Sequence, residues 1–280
     1  MSIRTITQKL LKDYETALRC DEKSANTIAK YMRDIRRFQK YVQGREIEKA
    51  LTLEYKSALG KEYATASANS MIVALNSFLR FAGWAECQIK QFKMQKKTYC
   101  SESIELSKAD YQSLVKAAEN KGNQRLALLI QTICGTGIRV GEVPYITVEA
   151  VRKGEATVFC KGKTRKIFIV SALRKKLTQY AKVSGIRSGM IFVTKSGKPM
   201  NRSNIWREMK ELCQSAGVSP EKVFPHNLRH LFARIFYSIE KDIAKLADIL
   251  GHSSINTTRI YIVSTGAEHR RRMENMHLIQ

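Results

Sequence analysis

Between residues 24 and 43, apolar side chains fall at Ile28, Tyr31, Ile35, Phe38 and Val42, steps of three and four that trace one helix face. The opposite face carries Lys30, Arg33, Arg37 and Lys40. Asn26 or Thr27 is placed to cap the start, and Gly44 to stop the helix. The pattern returns over 67–82 with Met71, Leu75, Phe78, Leu79 and Ala82, and Gly83 follows. With helices at 4–19 and 51–60, this predicts about four helices before residue 90, a small bundle. The apolar stripes read as core, which leaves the basic faces as functional candidates.

Residues 91–105 are basic and polar without a clean period, and read as a linker between a domain at 1–90 and another at 106–280. Ser107, with Asp110 three residues later, has the pattern of a capping box opening a helix through Tyr111, Leu114, Val115 and Ala118. Arg125 to Cys134 is apolar enough for a buried helix. The clear β signal is 155–170, two runs rich in strand formers around Lys161-Gly162-Lys163-Thr164, which predicts a hairpin with a basic tip. Ile191-Phe192-Val193 is a candidate third strand, and 202–216, 227–238, 241–250 and 255–278 read as helix. The fold class expected is mainly α with a small β-sheet: an N-terminal helical bundle and a C-terminal α+β domain.

Charge changes this picture. The 280 residues hold 49 Lys or Arg against 25 Asp or Glu, a net +24. Residues 1–100 contribute +9 and residues 101–280 contribute +15, so both halves are basic. A polyanion touching both is the simplest reading, and nucleic acid is the foremost candidate. No stretch approaches the ~18 consecutive apolar residues of a membrane span, and Met1 to Leu11 lacks a signal-peptide core. A cytoplasmic protein is expected. None of the six cysteines forms a CxxC pair or has zinc spacing, so they read as reduced thiols rather than a disulfide or metal framework.

Four segments carry chemistry: Gly135-Thr136-Gly137-Ile138-Arg139-Val140-Gly141-Glu142, Cys160-Lys161-Gly162-Lys163, Pro225-His226-Asn227-Leu228-Arg229-His230, and the run from Leu250-Gly251-His252 to Tyr261. Arginine and lysine hold phosphate oxygens, a tyrosine hydroxyl can act as covalent nucleophile, and histidine moves protons near neutral pH. Carboxylates are scarce here, so phosphoryl transfer would rest on cationic side chains, with no metal or other cofactor implied. Attack by tyrosine on a phosphodiester would conserve bond energy in a phosphotyrosine link, which suits breaking and rejoining DNA.

In this order and spacing the four segments resemble the tyrosine recombinase/phage integrase family, and the resemblance covers nearly the whole chain. It implies a SAM-like core-binding domain at 1–90 and a catalytic domain at 106–280. Arg139 matches the first phosphate-contacting arginine, Glu142 the supporting acid, and Lys161 the general acid on the leaving 5′-hydroxyl. His226 and Arg229 match the His-x-x-Arg pair that assists proton transfer and clamps the phosphate. His252 matches the histidine that hydrogen-bonds the phosphate, and Tyr261 the nucleophile. His230 is expected on a different helix face, as a buried, hydrogen-bonded structural residue. Pro144 departs from the family pattern and implies that the helix begins near Arg139 or is bent.

The resemblance also implies a clamp on double-stranded DNA, a tetramer on two recombination sites, and exchange through a Holliday junction. Phosphate and base contacts are expected from Lys30, Arg33 and Arg37, from the linker residues Lys93, Lys96 and Lys97, and from Arg202 and Arg207. The tail after Tyr261, with Arg270-Arg271-Arg272, is either a docking segment for a neighbouring protomer or a solvated terminus. A type IB topoisomerase-like strand-passage enzyme and a non-catalytic DNA-binding protein are the rival readings.

Overall fold

The computed structural model describes residues 4–94, 104–160, 163–194, 196–261 and 273–276. It divides into two compact units, 1–96 and 97–280.

The first unit contains α1 (Gln8–Cys20), α2 (Ala25–Val42), α3 (Lys49–Glu62), α4 (Thr65–Phe81) and a 3-10 turn, Ala85–Cys87. The helix at 24–43 is there, but Ser24 caps it, not Asn26 or Thr27: its hydroxyl accepts from the Thr27 N–H at 3.3 Å. Ser24 has the extended backbone that a cap needs, whereas Asn26 and Thr27 are already helical. Tyr14, Ile35, Phe38, Ile72, Leu75, Phe78 and Leu79 are buried together, with Tyr14 edge-on to Phe78 at 5.2 Å.

Both ends of the expected linker, 91–105, carry contacts to the units beside them. Asn76 on α4 donates to Ile89 O (2.7 Å) and accepts from Ile89 N–H (2.9 Å). Two turns earlier on the same face of α4, Asn69 does the same for Phe92, at 2.9 and 2.7 Å. Two side-chain amides thus replace a strand partner and hold the chain to the first unit as far as Phe92. At the other end Asn227 donates to Ile104 O (2.7 Å), Arg234 bonds Glu105 and Leu106 O, and Leu106 is buried.

The second unit contains α5 (Lys108–Asn120), α6 (Gln124–Thr136), a 3-10 turn at Val140–Tyr145, α7 (Val148–Lys153), β1 (Glu155–Cys160), β2 (Lys163–Phe168), α8 (Ser171–Val183), α9 (Arg202–Lys210), α10 (Cys213–Ala216), α11 (Pro225–Glu240), α12 (Ile243–Leu250) and α13 (Ile255–Arg259). The capping box is complete: Asp110 N–H donates to Ser107 Oγ (3.0 Å) and Ser107 N–H to Asp110 Oδ2 (2.9 Å). α6 is buried over most of its length and forms the centre of the core.

Four expectations are corrected. Lys163 and Thr164 are strand residues rather than turn, because β1 and β2 pair through Cys160–Lys163 and Phe159–Thr164. Residues 191–193 form no third strand. Ile191 and Phe192 are both buried, whereas a half-exposed strand would turn one of them outward, and only the single bridges Thr147–Met190 and Val193–Pro199 form. The helix at 202–216 breaks after Lys210 into α9 and α10. The helix from 255 ends at Arg259, and residues 262–272 and 277–280 lie outside the described residues. Pro144 has no N–H to continue an α-helix, and the segment after Arg139 is a short 3-10 turn instead.

Candidate active site

Three elements and one helix end converge in the second unit. Arg139 sits at the mouth of the 3-10 turn, held by Glu142: the carboxylate accepts from the Arg139 N–H (2.9 Å) and from its Nη1 (3.0 Å). α11 begins at Pro225, a residue suited to the first helical position, and carries His226, Arg229 and His230 on one face at spacings of three and four. α12 ends at Leu250, and Gly251 takes a left-handed φ of 64°. α13 then leads into Tyr261, whose N–H donates to Thr258 O at 2.9 Å.

The last carbonyls of α12 each accept from a different arginine. Ile249 O takes Arg165 Nη1 (2.7 Å), Leu250 O takes Arg229 Nη2 (2.7 Å), and Gly251 O takes Arg139 Nη2 (3.1 Å). These carbonyls lack intrahelical partners, so the guanidiniums satisfy groups that burial would otherwise leave bare. Arg229 is 1% exposed and also donates to Gly137 O. Burial and the nearby Arg139 charge pull its pKa down to about 10, so it stays a cation at neutral pH.

Glu142 is buried between two guanidiniums, since Arg165 Nη2 reaches its second oxygen at 2.5 Å. Burial alone would raise its pKa. The Arg139 N–H and the charges of Arg165 and Arg139 outweigh that and hold the carboxyl below its ordinary value.

Tyr261 is 6% exposed, in a small apolar cluster with Ala233, Leu246 and Leu250. Its hydroxyl lies 3.3 Å from His226 Nε2, and the Arg229 guanidinium lies 5.9 Å from its ring centre. Burial, then the charges of Arg229, Arg202 and Arg139, lower the His226 pKa, so the ring is neutral at pH 7 and able to accept a proton. His252 Nε2 lies 2.9 Å from Arg229 Nη2, and its Nδ1 lies 2.9 Å from Thr258 Oγ1. Because a guanidinium only donates, Nε2 accepts, and the ring proton sits on Nδ1, directed at Thr258. Burial and the three arginines push the His252 pKa down to about 4.

His230 is a correction. It shares the face of His226, four residues on, and stacks on Tyr261 with ring centres 4.2 Å apart and planes 24° apart. Among the described residues it has no hydrogen bond; burial, with His226, Arg234 and Arg229, lowers its pKa to about 4. Arg165 and Thr258 were also missed. Arg165 looks like any other cation of a basic hairpin, but it shares the parity of Ile167 and Ile169, which point inward, and that phase is the signal that could have found it.

The structure therefore brings together Arg139, Glu142, His226, Arg229, His252 and Tyr261. Lys161, Lys96 and Lys97 lie outside the described residues. Lys93, Arg202 and Arg207 are exposed, with no acidic partner among the described residues. The α2 cations are already engaged: Lys30 with Asp34 (2.7 Å) and Ser70 O (3.0 Å), Arg33 with Asp34 (3.6 Å), and Arg37 with Glu62 (2.5 Å) and the Tyr63 ring.

Residues 105–268 match the model of the phage integrase family. The chain belongs to that family. Residues 11–86 match its N-terminal SAM-like domain. A tyrosine recombinase XerA of Pyrococcus furiosus is 28% identical over 289 residues, covering 100% of this chain and 98% of the relative. A tyrosine recombinase XerD of Shewanella oneidensis is 25% identical over 260 residues, covering 85% and 86%. Among solved structures, a lambda integrase(75-356) dimer bound to a COC' core site matches in fold, with a TM-score of 0.74 at 19% identity over 91% of this chain and 95% of that one. The integrase fold accounts for both units: a SAM-like helical domain, and a mostly helical catalytic domain with a two-stranded sheet.

Proposed function

We propose that this member of the integrase family is a site-specific DNA recombinase that cleaves and rejoins strands through a 3′-phosphotyrosine intermediate. The observation that carries the reading is the Tyr261 hydroxyl set 3.3 Å from the Nε2 of a neutral His226 and beside the buried cation of Arg229.

Tyr261 Oη attacks the scissile phosphorus as His226 takes its proton, and the bond from phosphorus to the 5′-bridging oxygen breaks. Lys161, on the connection between β1 and β2, protonates the departing 5′-oxygen. Arg139 and Arg229 hold the non-bridging oxygens, where negative charge accumulates, and His252 adds a hydrogen bond once its ring is turned to the phosphate. Glu142 keeps Arg139 in place. In the second step a 5′-hydroxyl from a partner strand attacks the phosphotyrosine, Tyr261 leaves, and the protons return along the same path.

Lys93, Arg202 and Arg207 contact the duplex, joined by Lys96 and Lys97. Lys30, Arg33 and Arg37 contribute by exchanging Asp34 and Glu62 for phosphates. Two recombination sites are held by a tetramer in the cytoplasm, as a lambda integrase tetramer is on a Holliday junction.

The test is covalent capture. The protein is incubated with sheared genomic DNA from its source and with nicked duplexes carrying candidate sites, then denatured, and linked fragments are sequenced, with Tyr261→Phe in parallel. Wild-type adducts that vanish in the variant support the nucleophile and yield the site. Adducts undiminished in Tyr261→Phe, or none from wild type on any nicked duplex, would sink the reading. A supercoil-relaxation assay separates partner exchange from strand passage.

A further inference from the structure

Arg165 has no place in the scheme above, yet it is nearly as enclosed as Arg229. It projects from the inward face of β2, its side chain only 12% exposed. One amino group donates to Glu142 Oε2, the other to Ile249 O, and Nε is buried without a partner. The chain around it leaves no slack. A Cβ on Gly251 would stand 2.3 Å from Arg165 Cδ and 2.9 Å from its Nε, so the left-handed turn that presents His252 packs directly on this side chain.

With both amino groups taken and the stem enclosed, Arg165 is not placed to hold a phosphate. It does touch what fixes the groups that would. Glu142 orients Arg139 through its other oxygen, and Ile249 precedes the two carbonyls that receive Arg229 and Arg139. We infer that Arg165 is a positioning residue for strand cleavage: it locks the end of α12 to Glu142, and thereby sets the direction of Arg139 and the place of His252 relative to Tyr261. This rests on the recombinase reading. A planar fork is needed for the task, because its two contacts diverge from one rigid group, and a lysine in its place reaches only one of them.

The test compares wild type with Arg165→Lys and Arg165→Gln on the nicked duplex recovered by covalent capture. Adduct formation is followed in single turnover, beside affinity for the same duplex, thermal unfolding, and NMR titration of the His252 ring. For Arg165→Gln, affinity stays within about twofold of wild type while the adduct rate falls by about 10- to 100-fold, the loss that an ångström-scale misplacement produces. Arg165→Lys recovers part of that rate, and because it keeps the positive charge that helps depress His252, a shift of the His252 titration in Arg165→Lys reports displacement of the ring rather than lost charge. A full adduct rate in Arg165→Gln overturns the inference. So does a rate loss in both variants that tracks unfolding or lost affinity while the His252 titration of Arg165→Lys matches wild type, since that pattern marks a merely structural residue. A wild-type chain that forms no adduct defeats the recombinase reading itself, and is told apart because the variants then have nothing to fall from.

Discussion

The two units bury different things. The bundle at 1–96 is closed by apolar and aromatic side chains, and its buried charge among the described residues is Asp34, whose partners Lys30 and Arg33 reach solvent. The catalytic unit buries Arg229 and Glu142 and nearly buries Arg165, all in one connected network. A salt bridge at the rim can lose a partner to water. Glu142 cannot, because its partner Arg165 is enclosed while Arg139 alone reaches solvent, so removing the carboxylate leaves the Arg165 charge without compensation. The bundle is therefore held by shape and the catalytic unit by shape plus an electrostatic register, which makes the second less tolerant of polar substitution.

The largest effect expected from that contrast is at Glu142. Glu142→Gln keeps the volume but leaves Arg139 and Arg165 facing a neutral amide, and should cost about 3–5 kcal/mol. Asp34→Asn should cost about 1 kcal/mol or less, since solvent takes over its cations. The units can be followed separately in urea, because Trp84 reports on the first and Trp206 on the second. Equal losses in the two units would break the contrast.

Acid gives the next largest effect. All five histidines lie in the second unit, and His230 and His252 are depressed to about 4. The unfolded chain, with rings near 6.5, binds more protons than the native one between those values, so stability is intact above about pH 6.5 and is lost as pH falls toward 4. Each pKa unit is worth about 1.4 kcal/mol before solvent screening, and the expected loss is about 2–4 kcal/mol. Glu142 adds a further loss at still lower pH, because its depressed carboxyl must then be protonated. Unfolding read at Trp84 should be flat from pH 8 to 5 while that read at Trp206 declines. Replacing His230 and His252 with Gln should remove most of the slope. The smallest effect is at Arg37: Arg37→Ala should change stability by at most about 1 kcal/mol, and less in high salt, because its partner Glu62 is exposed.

What could be read from the chain alone was what is local. The Ser107–Asp110 box, the hairpin, the buried run of α6 and the His226–Arg229 spacing each lie within a few residues, where periodicity and capping chemistry decide the outcome. The order of Arg139, His226, Arg229, His252 and Tyr261 was also legible, because the motifs are contiguous. What pairs distant positions was not. His230 shares a face with His226 by simple helical arithmetic, but nothing local says that Tyr261, thirty-one residues on, would supply the ring beneath it. That Arg37 on the basic face of α2 would pair with Glu62, twenty-five residues on, was equally hidden. The hold of Asn69 on Phe92 was not legible either, because a side-chain amide that mimics a strand partner has no sequence period.

Gripping a cation with a carbonyl leaves its charge whole. Among the three arginines at the end of α12, only Glu142 supplies a formal negative charge, so Arg139, Arg165 and Arg229 together retain a surplus of two positive charges. Had carboxylates done the holding, the guanidiniums would be fixed as firmly but neutralised, and an incoming phosphate would have to compete with resident anions. The eight-residue helix avoids that trade: its terminal dipoles orient the cations and leave their field directed outward. An aspartate or glutamate introduced at 249 would be expected to weaken a polyanion's hold on this face even if every arginine kept its position.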